Sequence, residues 1–174
     1  MGSGASFDLL SVDSPGDIRT ELRFLYLFGN FKYNLTGITG KSFYRGALYW
    51  VLEAGTAVTW KDPKNVFGEV AEAPTYVVGF VPVQFEYKFI QPDSKWAPVF
   101  FGGVGVTWGE WHKTTRELAT AFEFILQSGA GIEYFLDNGS SVSLNYRLWH
   151  LSNSNIKSPN IGINAHVFSI SVSF

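Results

Sequence analysis

Apolar and polar residues alternate with period two along most of this chain, in runs bounded by Gly, Pro, Asn and Asp. About eight runs stand out: Gly4 to Val12, Ile18 to Gly29, Phe43 to Trp60, Pro74 to Phe89, Pro98 to Gly109, Thr120 to Leu136, Val142 to Ser152 and Ile163 to Phe174. The alternation predicts strands throughout. No stretch has a helical period or a capping pattern, and neither an internal repeat nor a domain boundary is visible. Residues 1–174 therefore read as one all-β domain.

The same alternation sorts side chains into two faces. In the second run Leu22, Phe24, Tyr26 and Phe28 share one face, and Glu21 and Arg23 the other. Further along, Leu48, Trp50 and Leu52 oppose Arg45, Tyr49 and Glu53. Val83, Phe85, Tyr87 and Phe89 oppose Gln84, Glu86 and Lys88. Phe124, Leu126, Ala130 and Ile132 oppose Glu123, Gln127 and Glu133. Alternation is symmetric under inversion, so these rows alone fit either a water-soluble sandwich or a barrel with its apolar face outward.

Three features favour the second. The runs are longer than the five or six residues common in globular strands and match the roughly 9 to 11 that cross a bilayer. Aromatics stand near run ends, at Tyr44, Trp60, Trp96, Trp108 and Trp111, where amphipathic rings suit the headgroup level. The chain ends His166-Val-Phe168-Ser-Ile170-Ser-Val172-Ser-Phe174, and this terminal Phe behind alternate apolar residues resembles the assembly signal of bacterial outer-membrane barrels. The expectation is an eight-stranded antiparallel transmembrane β-barrel. Phe24, Trp50, Phe85, Phe124 and Leu148 would point out, and Arg23, Glu53, Glu86, Glu133 and Arg147 in. Glu53, Glu123 and Glu133 would form a lumen network with Arg23, Arg45 and Arg147.

Composition agrees. Charged residues are 16% and aromatics 17%, against about 25% charge in a soluble domain. A net charge of −2 gives no footing for nucleic acid. There is no Cys, hence neither a disulfide framework nor a thiolate metal site. Three histidines without acids at ligand spacing suggest no metal, and no cofactor is expected. The longest uncharged stretch, Trp96 to Gly109, is too short for a spanning helix. Met1-Gly-Ser-Gly4 has neither a basic nor an apolar leader region. The expectation is that an export signal has been removed and that residues 1–4 are partly a cloning remnant.

Asp137-Asn-Gly-Ser140 and Gln91 to Lys95 read as short hairpin turns. The links at Lys61 to Ala73, Glu110 to Ala119 and Asn153 to Gly162 read as long outer loops. Phe31 to Ser42 is longer than a periplasmic turn should be. Lys61, Lys64, Lys113, Arg116 and Lys157 fall in the outer loops, where they would meet lipid phosphates or simply be solvated.

Chemistry concentrates in the seventh run. Val142, Leu144, Tyr146, Leu148, His150 and Ser152 form one row, and Ser141, Ser143, Asn145, Arg147 and Trp149 the other. His150 and Ser152 thus extend the outward row at the outer end of the strand. An imidazole beside a hydroxyl is what nucleophilic catalysis requires, although His-x-Ser alone also fits an interfacial His next to a loop Ser.

The surrounding residues add to this. His150-Leu-Ser152-Asn153, a short loop, then Pro159-Asn160-Ile-Gly162 resembles the signature of the outer-membrane lipid A 3-O-deacylase (PagL-like) family. Weaker similarity runs through Gly79 to Phe89 and Pro98 to Val106. The resemblance implies a bacterial outer-membrane esterase that removes an acyl chain from lipid A of lipopolysaccharide. It implies Ser152 as nucleophile and His150 as general base. Asn153, Asn155 and Asn160, with loop amides, would be oxyanion donors, unless these asparagines serve only to shape turns. Some members carry a Glu shortly after Pro-Asn-x-Gly, where this chain has Asn164. A register pairing Asn164 with His150 would let the amide fix the imidazole tautomer, without the charge a carboxylate offers. His166 is a second candidate for that third position, or else marks the membrane interface.

The partners expected are lipopolysaccharide and outer-membrane lipid, with homodimerisation left open. The rival readings are a non-enzymatic structural or adhesive barrel, an inactive family member, and a soluble lipid-binding barrel.

Overall fold

The computed structural model describes residues 2–8, 23–61, 76–114 and 117–174, with side chains over 24–59, 76–112 and 117–174. The strands are β1 (Gly2–Asp8), β2 (Arg23–Asn34), β3 (Gly46–Lys61), β4 (Val77–Phe89), β5 (Trp96–Gly109), β6 (Phe122–Phe135), β7 (Ser141–Ser152) and β8 (Ile163–Ser173). β2 to β8 form an unbroken antiparallel meander, and β1 pairs with both β2 and β8 to close it into a barrel. A short helix, α1 (Trp111–Thr114), follows β5. Among the described strands, closure gives each one a neighbour on both sides.

The turns follow their residues. Gly139 takes a φ of +84 in the β6–β7 hairpin, and Leu136 and Ser140 close it by a backbone bond of 2.8 Å. The β2–β3 link is shorter than its sequence suggests, because β2 runs on through Asn34. Residues 35–45 are then tied down by a Thr39–Gly46 bridge.

On β3 through β8 the charged rows point inward, as their alternation predicts. Glu53, Glu86, Glu133 and Arg147 are buried, while Phe85, Phe124, Leu126, Leu144 and Leu148 are exposed on the outer wall. Trp50, half-buried, shares that outer row. β2 is inverted relative to expectation. Phe24, Tyr26 and Phe28 are buried inside the barrel, and Leu25 and Leu27 face out. The inward row of β2 continues through Lys32, which reaches Glu86 across the lumen, while Phe31 and Tyr33 continue the outward row of Leu25 and Leu27. A bulge lies on the facing strand, where the pairing passes from Lys61 to Thr59 and skips Trp60. The side chain of Arg23 itself lies outside the described residues. A phase change occurs in β4 at Val81-Pro82, where Val81 is buried on one parity and Gln84 on the other.

The interior has two storeys. The half towards the β7–β8 loop is apolar, with Phe24, Tyr26, Trp111, Leu118, Ile125, Trp149 and Leu151 in one cluster. Trp111 is therefore not an interfacial ring. It is 3% exposed because α1 folds back over the barrel mouth. The other half is polar. Arg147 donates to Glu53 at 2.7 and 3.2 Å and stacks on Phe28 and Phe101. Lys32 and Lys88 pair with Glu86, and Lys88 also with Glu133. These lysines take the part expected of Arg45. Arg45 instead donates to the carbonyl of Ile90, and Glu123 accepts from Thr120. Tyr26 and Trp149 join the storeys, through bonds to Glu53 at 3.1 Å and to Gln127 at 2.7 Å.

Removing one partner of a buried ion pair strands the other in low dielectric, which costs about 3–5 kcal/mol. Glu53→Ala is accordingly expected to lower the urea midpoint of the barrel in detergent, and Glu53→Ala with Arg147→Met to recover most of the loss. An unchanged midpoint for Glu53→Ala would mean that the pair contributes nothing.

Candidate active site

β7 and β8 pair with His150 opposite Asn164 and Leu148 opposite His166. The two sites of interest therefore face each other across one rung, on the outer wall. His150 Nδ1 lies 2.8 Å from Asn164 Oδ1. With the amide oxygen accepting, Nδ1 carries the proton and Nε2 is left as a base. Ser152 stands one pleat repeat further along the same row, half-buried. The structure does not bring its hydroxyl into a hydrogen bond with His150. In an unliganded site such a bond is commonly open and tightens with substrate.

The strand beneath is rigid. Trp149 and Leu151, the inward neighbours of His150, are buried, and Trp149 packs against Phe24 at 5.5 Å and Tyr26 at 4.7 Å between ring centroids. The backbone that carries the imidazole is thus anchored in the apolar storey.

The loop after Ser152 turns back at once. Ser154 and Asn155 adopt φ of 53 and 63, and Ile156 N–H donates to Asn153 O at 3.1 Å, which is a mirror-image turn of the kind Asn tolerates. Asn160 Oδ1 accepts from the Asn153 backbone N–H at 2.8 Å, and Asn160 Nδ2 donates to Asn155 Oδ1 at 3.1 Å. Asn153 is fully buried and its side-chain nitrogen donates to Lys157 O at 2.8 Å. Its side chain is thus enclosed by its own loop, whose turn it braces. Asn160, half-buried, and Asn155, exposed, remain on the accessible side.

Two supports carried little signal in the sequence. Leu118 pairs with Asn160 across an antiparallel bridge, and Ile161 N–H donates to Glu117 O at 3.0 Å. The β5–β6 loop therefore clasps the β7–β8 loop. Gly162 has a φ of +80, and a Cβ there would lie 3.0 Å from His150 Cε1 and 3.1 Å from Leu151 O. Its presence in Pro159-Asn-Ile-Gly162 has a physical reason: it forms the wall against which the imidazole edge rests. Gly162→Ala combines backbone strain with a push on the ring. Since a displacement near 1 Å can cost about 10²-fold, kcat on lipid A in detergent is expected to fall by about that factor while the barrel keeps its heat-modifiable gel mobility. Parent-level kcat would show that the imidazole does not rest on this position.

Beside His150 the outer wall is hollow. A groove of about 300 Å³ is lined by Leu126, Ser128, Leu148, His150 and Asn164. It shares Ser128 and Leu148 with a second depression of about 560 Å³, floored by Gly102, Ser128 and Ala130 and walled by Phe85, Phe100 and Tyr146. Small outward residues between large ones make this furrow. Below Asn164 on the same wall, Tyr146 hydrogen-bonds His166 Nδ1. His166 is thus tied to the wall, one rung in from Asn164.

A protein-family model for lipid A 3-O-deacylase (PagL) matches residues 65–173. The chain belongs to the lipid A 3-O-deacylase (PagL) family. Its reaction class is thereby carboxylic ester hydrolysis on lipid A. Among solved structures, the crystal structure of the outer membrane enzyme PagL is similar, with a TM-score of 0.64, 20% identity, and coverage of 100% of this chain and 99% of that chain. At that identity the likeness concerns the fold. No curated protein matches. In this family member the outward row of β7 and the facing row of β8 carry the candidate residues. Of the outer-loop cations singled out in the sequence, Lys157 is exposed in the β7–β8 loop. The side chains of Lys61, Lys64, Lys113 and Arg116 lie outside the described residues.

Proposed function

We propose that this deacylase works from the outer wall of a barrel that spans the bacterial outer membrane, with Ser152 as nucleophile, His150 as general base and Asn164 as the residue that orients His150. The observation that carries the reading is the His150–Asn164 contact of 2.8 Å, on the exposed side of the barrel and at the head of an apolar furrow. A band of outward Leu, Phe, Val and Ile side chains, many 38–62% exposed, suits hydrocarbon rather than water. A lipid A molecule in the outer leaflet would already have its acyl chains along this wall.

Ser152 Oγ attacks the ester carbonyl carbon as His150 Nε2 takes its proton. The carbonyl oxygen becomes an oxyanion, which Asn160 and backbone amides of the 153–160 loop stabilise, each such donor contributing on the order of 3 kcal/mol. Collapse breaks the bond to the sugar 3-oxygen, which leaves with the proton from His150. Water then attacks the acyl-Ser152 ester with His150 again as base, and the free fatty acid departs. From Ser152 to Tyr146 the row extends roughly 20 Å along the strand, enough to lay a fatty acyl chain against Leu148 and Ser128.

Mass spectrometry of lipid A from cells with and without the protein tests this. The expected product has lost one ester-linked acyl chain. Intact lipid A, with phospholipid hydrolysed instead, would overturn the substrate assignment.

A further inference from the structure

The end of the barrel away from His150 carries a feature that deacylation does not use. Between β2 and β3, residues 35–45 fold into a compact loop. Asn34 Oδ1 accepts from the N–H groups of Thr36 and Gly37 at 3.2 and 2.8 Å, and Leu48 N–H donates to Thr36 Oγ1 at 3.0 Å. Gly40, with a φ of +81, lets the Tyr44 ring lie close over its backbone. Two bonds fix the side of the barrel on which the loop rests. The Tyr87 hydroxyl donates to Tyr44 O at 2.7 Å, and Gln91 Nε2 donates to Ser42 O at 2.9 Å. Tyr87 belongs to the outward row of β4, so the loop is drawn towards the outer wall and does not hang free below it.

What the loop displays is apolar. Phe43 is 81% exposed, and Leu35, Ile38 and Tyr44 are about half exposed. Phe43 and Tyr44 meet edge to face at 5.5 Å, and exposed Lys41 lies between them and Ile38 in the chain. A water-facing turn would gain nothing from holding these side chains out. The apolar surface is continuous with the outer wall: Phe31 and Tyr33, both exposed on β2, lead directly into Leu35.

We propose that the 35–45 loop is a membrane foot, with Leu35, Ile38 and Phe43 seated at the headgroup–acyl boundary of the inner leaflet and Lys41 at the lipid phosphates. The occupant is phospholipid, because the surface continues the lipid-facing rows and joins aromatic rings to a cation, the composition that interfacial segments share. The foot sets the depth and tilt of the barrel, and so the height at which the furrow beside His150 meets the outer leaflet. This rests on the outer-membrane reading above.

The chain has no Cys, so a single introduced thiol can carry an environment-sensitive fluorophore. The full-length protein is placed in phosphatidylethanolamine–phosphatidylglycerol vesicles with the label at Phe43→Cys, at Asp93→Cys in the neighbouring turn, or at Phe100→Cys on the outer wall. Ile38→Cys is a second reporter on the foot should Phe43→Cys fail to fold. At position 43 the expected result is blue-shifted emission, protection from iodide, and quenching by lipids spin-labelled near the headgroup. Position 93 should be quenched by iodide, and position 100 by lipids labelled deep in the chain. Iodide quenching at 43 and 38 equal to that at 93, with 100 still in lipid, overturns the foot. Iodide quenching at 100 overturns the outer-membrane reading beneath it.

Discussion

Ser152→Ala and His150→Ala are each expected to reduce deacylation of lipid A by on the order of 10⁴-fold or more, with the barrel still folded. The hydroxyl is a weak nucleophile until a base removes its proton, and the imidazole has nothing to activate once the hydroxyl is gone. The two side chains therefore act as one unit. The double variant is expected to be no slower than either single variant, whereas independent contributions would multiply. What activity remains in all three is expected to come from binding and from the proposed oxyanion donors of the 153–160 loop. The measurement is the initial rate of fatty acid release from purified lipid A in detergent, with heat-modifiable mobility as the check on folding. Ser152→Ala retaining most of the rate would exclude it as nucleophile, and a multiplicative double variant would separate the pair.

Asn164 carries the second large effect. Its Oδ1 is 2.8 Å from His150 Nδ1, and in the proposed mechanism this contact holds the ring in the tautomer that presents Nε2 as base. Asn164→Ala frees the ring, and a loss of about 10- to 100-fold in kcat is expected, with KM little changed, because orientation matters in the transition state. Asn164→Glu should equal or exceed the parent. A carboxylate can accept the same hydrogen bond and also stabilise the imidazolium that forms as Ser152 attacks. The sign with pH follows. An adjacent negative charge favours protonated imidazole, and protonated imidazole cannot act as base. The acidic limb of the pH–rate profile of Asn164→Glu should therefore move to higher pH, with the gain appearing only on the alkaline side. Superimposable profiles for parent, Asn164→Ala and Asn164→Glu would show that Asn164 does not orient His150.

Much of this protein is legible in the order of its residues. Where a strand has charges on one face and large apolar groups on the other, as at Glu133 and Ile132 or Arg147 and Leu148, the period of two assigns both faces. The same period puts His150 and Ser152 on the outer row. Alternation also puts Asn164 on the outward row of β8, but which rung of β7 it faces is decided by the register of the folded pair. β2 was not legible in this way, because over Phe24 to Phe28 both its rows are apolar, and only the continuation of the inward row to Lys32, paired with Glu86 across the lumen, decides between them. The side on which Trp111 lies is decided by the fold of α1 over the barrel mouth. The partners of the buried acids are decided by which strands the closed barrel brings across the lumen, and these are Lys32 and Lys88 rather than Arg45. Asn153 is in the motif, and its full burial comes from the way the 153–160 loop closes over it, with its side-chain nitrogen on Lys157 O. The clasp between Leu118 and Asn160 joins loops some forty residues apart. Such contacts depend on how the sheet closes, a property of the whole chain that no short window of sequence contains.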